Sequence, residues 1–168
     1  MMPEIVPLDE NHLAEARQMI LETLHLVFDV QDSLEALRAR LAQRGVLKEL
    51  DNFKAHYFDR NGTFLIALEN GRVIGTGGVR PLSADICELK RLWVRPDYWG
   101  KGVGPLLMQA LLDFARLSGY RVMRLSTDPV YQKRAVRFYT RLGFSQIDSY
   151  SDDPDDISME LVLPAPGM

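Results

Sequence analysis

Apolar residues recur along this chain with two different periods, and the places where the period changes mark out its elements. Over His12–Phe28, Leu13, Ala16, Ile20, Leu24 and Val27 follow one another at steps of three and four, which predicts a helix with one buried face; Asp9 and Asn11 are candidate caps at its start. Ser33–Arg44 repeats the pattern with Leu34, Leu37 and Leu41, and Gly45 is its stop; Glu35, Arg38, Arg40 and Arg44 read as a solvated outer face. From Thr63 the period falls to that of strands. Thr63–Glu69 ends in Asn70-Gly71, a strong hairpin signal, and Arg72–Arg80 is the returning strand, where Gly75, Gly77 and Gly78 predict a bulge. Ile86–Val94 is a third strand, closed by Arg95-Pro96-Asp97. A helix over Pro105–Ser118 carries two apolar stripes, Leu107, Leu111 and Phe114 beside Leu106, Ala110 and Leu117, so much of its circumference is covered. Val122–Thr127 predicts a strand, Tyr131–Leu142 a helix stopped by Gly143, and Phe144–Tyr150 and Ile157–Leu163 two last strands. The order of elements predicts an α/β fold: a mixed central sheet with helices on both faces.

Length and composition narrow the class without naming a function. At 168 residues the chain suits one domain, taken as residues 1–164 with a short tail over 165–168, and a chain of that size buries about 70% of its unfolded surface without staples. One cysteine, Cys87, excludes an intramolecular disulfide and leads to the expectation of a reducing cytoplasm. No apolar run approaches the ~18 residues of a membrane span, and Met1-Met2-Pro3-Glu4 has no basic segment leading into an apolar one. The net charge of -3 weighs against a nucleic-acid partner, and His12, His25 and His56 are scattered without metal-ligand spacing, so no metal site is expected.

The most informative segment joins the third strand to the helix that follows: Trp99-Gly100-Lys101-Gly102-Val103-Gly104-Pro105. Alternating glycines let backbone N–H groups converge, and a helix start adds unpaired donors and partial positive charge, which suits a phosphate or diphosphate. Neither common nucleotide fingerprint fits. A third glycine in the dinucleotide spacing is missing, and Lys101 is followed by Gly102 where a P-loop has Ser or Thr.

Glu88-Leu89-Lys90-Arg91-Leu92-Trp93-Val94-Arg95-Pro96, followed by Trp99–Gly104, resembles the acetyl-CoA-binding core of the GNAT superfamily of N-acetyltransferases. Arg134-Ala135-Val136-Arg137-Phe138-Tyr139-Thr140-Arg141-Leu142-Gly143-Phe144 is similar to a second motif of that superfamily, and the distance between the two motifs agrees. The resemblance implies a mostly antiparallel central sheet in the GNAT-like arrangement. It also implies acetyl-CoA as acyl-donor cosubstrate, held by Leu92, Trp93, Val94, Trp99, Gly100, Lys101, Gly102, Val103, Gly104 and Gln132. Trp99 stands where the superfamily has Gln or Arg, and Pro105 brings no N–H to the loop.

An N-acetyltransferase must hold the thioester, polarise its carbonyl, take a proton from the amine and return one to the thiolate. The resemblance places a strand bulge at Trp93-Val94, with the Val94 N–H as oxyanion donor. Glu88 is the candidate base, six residues upstream; simple strand alternation puts Glu88, Lys90, Leu92 and Val94 on one face. Its structural alternative is pairing with a nearby cation, and a water relay would also serve. Tyr139 is the candidate acid, or else one more aromatic on an apolar helix stripe. Lys133, Arg134, Arg137 and Arg141 form a basic helix side, either solvated or touching a ribose phosphate, and Asp152–Asp156 an acidic loop. The implied function is transfer of acetyl to a primary amine of a small molecule or protein, with no nucleic acid or membrane involved and a homodimer as an expectation. A non-catalytic CoA- or acyl-CoA-binding sensor on the same fold is the alternative. Nothing in Asp29–Asp32, Leu50–Asn61 or Tyr150–Asp156, the expected acceptor loops, identifies the amine.

Overall fold

A computed structural model describes residues 2–167; Met1, and Met168 at the end of the expected tail, lie outside the described residues. The strands are β1 (Glu4–Pro7), β2 (Thr63–Glu69), β3 (Arg72–Pro81), β4 (Ile86–Val94), β5 (Val122–Thr127), β6 (Ser145–Ile147) and β7 (Ile157–Val162). The helices are α1 (Leu13–Val27), α2 (Leu34–Gln43), the single turn α3 (Phe53–His56), α4 (Val103–Leu117) and α5 (Lys133–Leu142), with short 3₁₀ turns over Lys48–Asn52, Phe58–Arg60 and Pro96–Tyr98. The strands form one sheet in the order β1-β2-β3-β4-β5-β7-β6, antiparallel throughout except for the parallel pair β4–β5 that α4 connects. The α/β class with a mixed, mostly antiparallel sheet is what the structure shows.

Two layers cover the sheet. Ala16 and Ile20 of α1 pack with Leu50, Phe53 and Tyr57 onto Phe64 and Ile66 of β2. On the opposite face Met108 and Leu111 of α4 and Tyr139 of α5 pack with Met123, Leu125 and Phe144. Burial of this kind contributes about 1.5–3 kcal/mol per large side chain, before the entropy of ordering it. Ser33 caps α2 by accepting the Ala36 N–H at 3.1 Å, whereas α1 starts at His12, whose N–H and ring nitrogen meet Asp9 Oδ1 at 3.0 and 2.8 Å; the expected cap therefore acts from three residues away. The sequence pattern misses β1 and the turns over Lys48–Arg60, and it runs the strand ending at Ile147 three residues too far.

The bulge foreshadowed by the glycines lies between β3 and β4. Thr76 stands opposite Trp93 and Gly78 opposite Lys90, so Arg91 and Leu92 together face Gly77 alone. Arg91 takes a left-handed backbone, φ 56°, uncommon for a side-chain-bearing residue. Its carbonyl accepts from Thr76 Oγ1 at 2.7 Å, and its guanidinium grips Glu49 through Nε–Oε2 (2.9 Å) and Nη2–Oε1 (3.1 Å).

The extra residue reverses the alternation of β4, which corrects the expectation of a single face. Cys87 and Leu89 before it, and Leu92 and Val94 after it, all turn toward α4. Glu88 and Lys90 turn the other way, the side on which Trp93 meets the α1 layer.

Candidate active site

Pairing between β4 and β5 ends at Glu88 opposite Arg124, although both strands run on. Beyond that point a gap opens in the sheet, because β5 continues against β7. Val94 stands opposite Gly75, and the next amide, Arg95 N–H, donates to the Ile74 carbonyl at 2.9 Å. In an antiparallel ladder that arrangement makes Val94/Gly75 a non-hydrogen-bonded pair, so the N–H and C=O of Val94 face the gap rather than β3. The indole N–H of Trp99 donates to that carbonyl at 2.9 Å, and the Val94 N–H is left aimed into the gap.

A cleft of about 540 Å³ runs from this gap along the start of α4. It brings together Leu92, Trp93 and Val94 of β4 with Trp99, Gly100, Gly102, Val103 and Gly104 of the loop. Gln132 and Tyr139 line its far wall. Lys101 alone among the expected cofactor residues does not line it; its Nζ lies 5.2 Å from the centre of the Tyr98 ring.

Left-handed turns at Gly100 (φ 77°) and Gly102 (φ 86°) shape the loop, the second forming the N-cap of α4. Among the described residues, the amides of Gly100, Gly102, Val103 and Gly104 donate to no carbonyl outside the regular elements, while Lys101 N–H is given to Tyr98 at 3.3 Å. Unpaired amides at a helix N-terminus form an anion site. Arg134 adds a cation: its guanidinium lies 5.1 Å from the Trp99 ring, and both line the cleft. The sequence leaves Arg134 on a basic helix side, either solvated or touching a ribose phosphate; its stacking on Trp99 has no local signal, because that partner lies 35 residues upstream.

Tyr139 is 7% exposed and packs beside Phe138 and Phe144 at ring distances of 5.8 and 5.7 Å. Burial alone pushes its phenol above the ordinary tyrosine range, so it is a protonated donor at neutral pH. Gln132 accepts Thr127 Oγ1 (2.9 Å) and the Asp128 N–H (3.0 Å) with its side-chain oxygen, which fixes the amide at the cleft edge. Phe28, just past α1, packs on Tyr131, which lines the cleft, at a ring distance of 5.5 Å, a contact with no signal in either local sequence.

Glu88 is buried at 6% exposure and does not line the cleft. Its Oε1 accepts Arg80 Nε at 3.0 Å and its Oε2 accepts the Tyr150 hydroxyl at 2.8 Å. Arg80 is thus the cation partner that the structural alternative required, though it comes from β3 rather than from Lys90 or Arg91. Burial pushes the Cys87 thiol up to about 12, so it stays protonated and suits its place in the core.

A splayed parallel pair joined to a helix whose first turn offers its amides to an anion defines a class of acyl-transfer proteins, and the comparisons agree. The chain belongs to the acetyltransferase (GNAT) family, whose model matches residues 29–144. It is 33% identical over 127 residues to an uncharacterised N-acetyltransferase of Schizosaccharomyces pombe, covering 74% of this chain and 77% of that protein. Two further curated relatives are matched over 49% and 60% of their own length. An acetyltransferase from Streptococcus agalactiae superposes with a TM-score of 0.80 at 26% identity, covering 96% of this chain and 98% of that one. The PaiA N-acetyltransferase of Thermoplasma acidophilum, solved in complex with coenzyme A, superposes at 0.78 with 22% identity over 96% and 99% of the two chains.

Proposed function

We propose that the protein transfers acetyl from acetyl-CoA to a primary amine by direct attack, without an acyl-enzyme. The observation that carries this is one cleft holding the loop amides at one end, the inward Val94 N–H in the middle and Tyr139 on the far wall. Chain belonging to the family, and the likeness to a structure holding coenzyme A, support the choice of donor.

The roles follow from the groups present. The amides of Gly100, Gly102, Val103 and Gly104 hold the diphosphate, with Arg134 stacked on Trp99 beside it. The Val94 N–H stabilises the oxyanion as the amine adds to the thioester carbonyl. The C–S bond then breaks and Tyr139 gives its proton to the departing thiolate. Glu88 takes the proton that the ammonium must lose, passed along the Tyr150 hydroxyl bound to its Oε2. Incubation with acetyl-CoA and a panel of primary amines, followed by free thiol and by mass of the acetylated amine, tests the proposal. Thiol released in step with N-acetyl product is expected; binding of CoA with no product from any amine would instead make the protein a CoA-binding module.

A further inference from the structure

On the sheet face turned away from α4 and α5, cross-strand neighbours form a row of alternating charge. Arg80, Glu88, Arg124 and Glu160 stand opposite one another in register on β3, β4, β5 and β7. These charges are consumed in pairs: Arg80 with Glu88 at 3.0 Å, and Arg124 with Glu160 at 3.0 Å. At the bulge, Arg91 and Glu49 form a third pair at 2.9 Å.

Lys90, the next residue of β4 on that face, is the exception. Its side chain is half-buried, and among the described residues no carboxylate oxygen lies within 4.0 Å of its ammonium. The charged groups facing it are Glu88, Arg91 and Arg80 from the sheet, Glu49 from the 3₁₀ turn over Lys48–Asn52, and Asp156 from the β6–β7 loop. Glu88 and Glu49 are already engaged by their arginines, with Tyr150 and Tyr57 completing them. Three cations therefore face three carboxylates, but Glu88 and Glu49 are held by their arginines and Asp156 accepts the Ser151 hydroxyl at 3.0 Å, so the Lys90 ammonium is the one charge here with no carboxylate in contact among the described residues. Burial, the largest influence on it, lowers the pKa of the ammonium, which an incoming anion would offset.

The position of this ammonium says where a contact partner would come from. Lys90 lies two residues beyond the last β4–β5 pair, in the splayed part of the strand, beside Glu88 and on the opposite sheet face from the α5 wall that carries Tyr139. We propose that Lys90 pairs with a carboxylate of the acceptor, so that the substrate is an amino acid or another amine bearing one acid group. A single unpaired cation matches a monoanionic carboxylate better than a dianionic phosphate. The inference rests on the acetyl-transfer reading for its chemistry, but the binding it asserts can be measured without turnover.

The test uses matched molecules that differ only in the carboxylate. With protein saturated by CoA, calorimetry compares N-acetylphenylalanine with N-acetylphenethylamine, and N-acetylalanine with N-acetylethylamine. The acid of each pair is expected to bind at least about tenfold tighter, Lys90→Gln to erase that preference and Lys90→Arg to keep most of it. In turnover, Lys90→Gln is expected to raise KM for phenylalanine about tenfold while the loss with phenethylamine stays under about threefold. Equal binding within each pair, no binding of either acid, or an equal loss for both members in Lys90→Gln overturns the assignment. Preferential binding of the acids with no acetyl transfer would retain Lys90 and remove the transferase reading; transfer indifferent to the carboxylate would do the reverse.

Discussion

The indole N–H of Trp99 donates to the carbonyl of Val94 at 2.9 Å, and the same ring carries the Arg134 guanidinium on its face at 5.1 Å. One side chain thus ties the end of β4 to the anion loop and holds a cation from α5 beside it. Trp99 occupies the place where the family pattern has Gln or Arg, so here the positive charge is delivered by Arg134 instead.

Two substitutions separate these contributions. Trp99→Phe keeps a ring for Arg134 but removes the hydrogen bond, and Trp99→Leu removes both. An exposed cation–π contact and a hydrogen bond each contribute about 0.5–1.5 kcal/mol. Isothermal titration with CoA is expected to show affinity falling about fivefold for the first variant and about tenfold or more for the second. Equal affinities in the two variants would show that Arg134 gains nothing from the stack.

Tyr139→Phe leaves the packing against Phe138 and Phe144 in place and removes only the proton donor. The expected result is kcat lower by about a hundredfold with KM for acetyl-CoA little changed, read by thiol release. The pH profile adds a sign. In the proposed role the active form is the neutral phenol, and burial raises its pKa, so the alkaline limb that it would cause moves above the ordinary tyrosine value near ~10. A wild-type activity that fell at pH 9 with a Tyr139-dependent limb would contradict this.

Glu49 and Arg91 supply a stability prediction. Burial pushes the Glu49 carboxyl up, but the hydrogen bonds and charge of Arg91 outweigh it, and the net shift is downward. A lowered carboxyl contributes stability that is fully present above the unfolded value of about 4.3 and lost as pH falls through the folded value. Glu49→Gln leaves Arg91 partly buried without its counter-charge, at a cost of about 2–3 kcal/mol after allowing for its partial exposure. Thermal melts at pH 7 are expected to show Tm lower by about 4–10 °C, and the gap between variant and wild type to narrow below pH 4. A gap that stayed constant down to pH 3 would mean that the pair contributes nothing through its charge.

The same pair shows where sequence reading stopped. The period-two pattern of β4 is correct as far as Lys90, and the three glycines of β3 gave notice of a bulge. The resemblance put a bulge on the right strand but at Trp93-Val94, whereas the extra residue lies just before, at Arg91-Leu92; that place was not legible, because the left-handed position is an arginine and not a glycine. What holds Arg91 there is Glu49, 42 residues away in a short 3₁₀ turn with no periodic signature. Glu88 shows the same limit: its strand and its chemistry were readable, but its partners Arg80 and Tyr150 are cross-strand and long-range. The anion loop was legible for the opposite reason, since consecutive residues form it and only glycines suit its turns.

Gly77 and Gly78 are adjacent in β3 and face opposite layers, which makes their alanine variants an informative contrast. A Cβ at Gly77 would lie 2.7 Å from Leu111 Cδ1 and 3.2 Å from Leu92 Cδ1, both ends of flexible side chains that can turn aside. A Cβ at Gly78 would lie 2.8 Å from both Phe64 Cδ2 and Tyr57 Cε1, atoms of rings that meet edge-on at 5.1 Å and are fully buried. Overpacking costs about 1–3 kcal/mol, toward the lower end where a neighbour can rotate and the upper end where rings must translate. Urea unfolding is therefore expected to place Gly78→Ala about 1–2 kcal/mol below Gly77→Ala in stability. Because Gly77 sits opposite the bulge, its variant is also expected to weaken CoA affinity by more than its stability loss would suggest, while Gly78→Ala, packed against the α1 layer, changes stability first. If both variants lost stability equally and neither altered CoA binding, the bulge would be insensitive to what lies across from it, and the gap at Val94 would need another support.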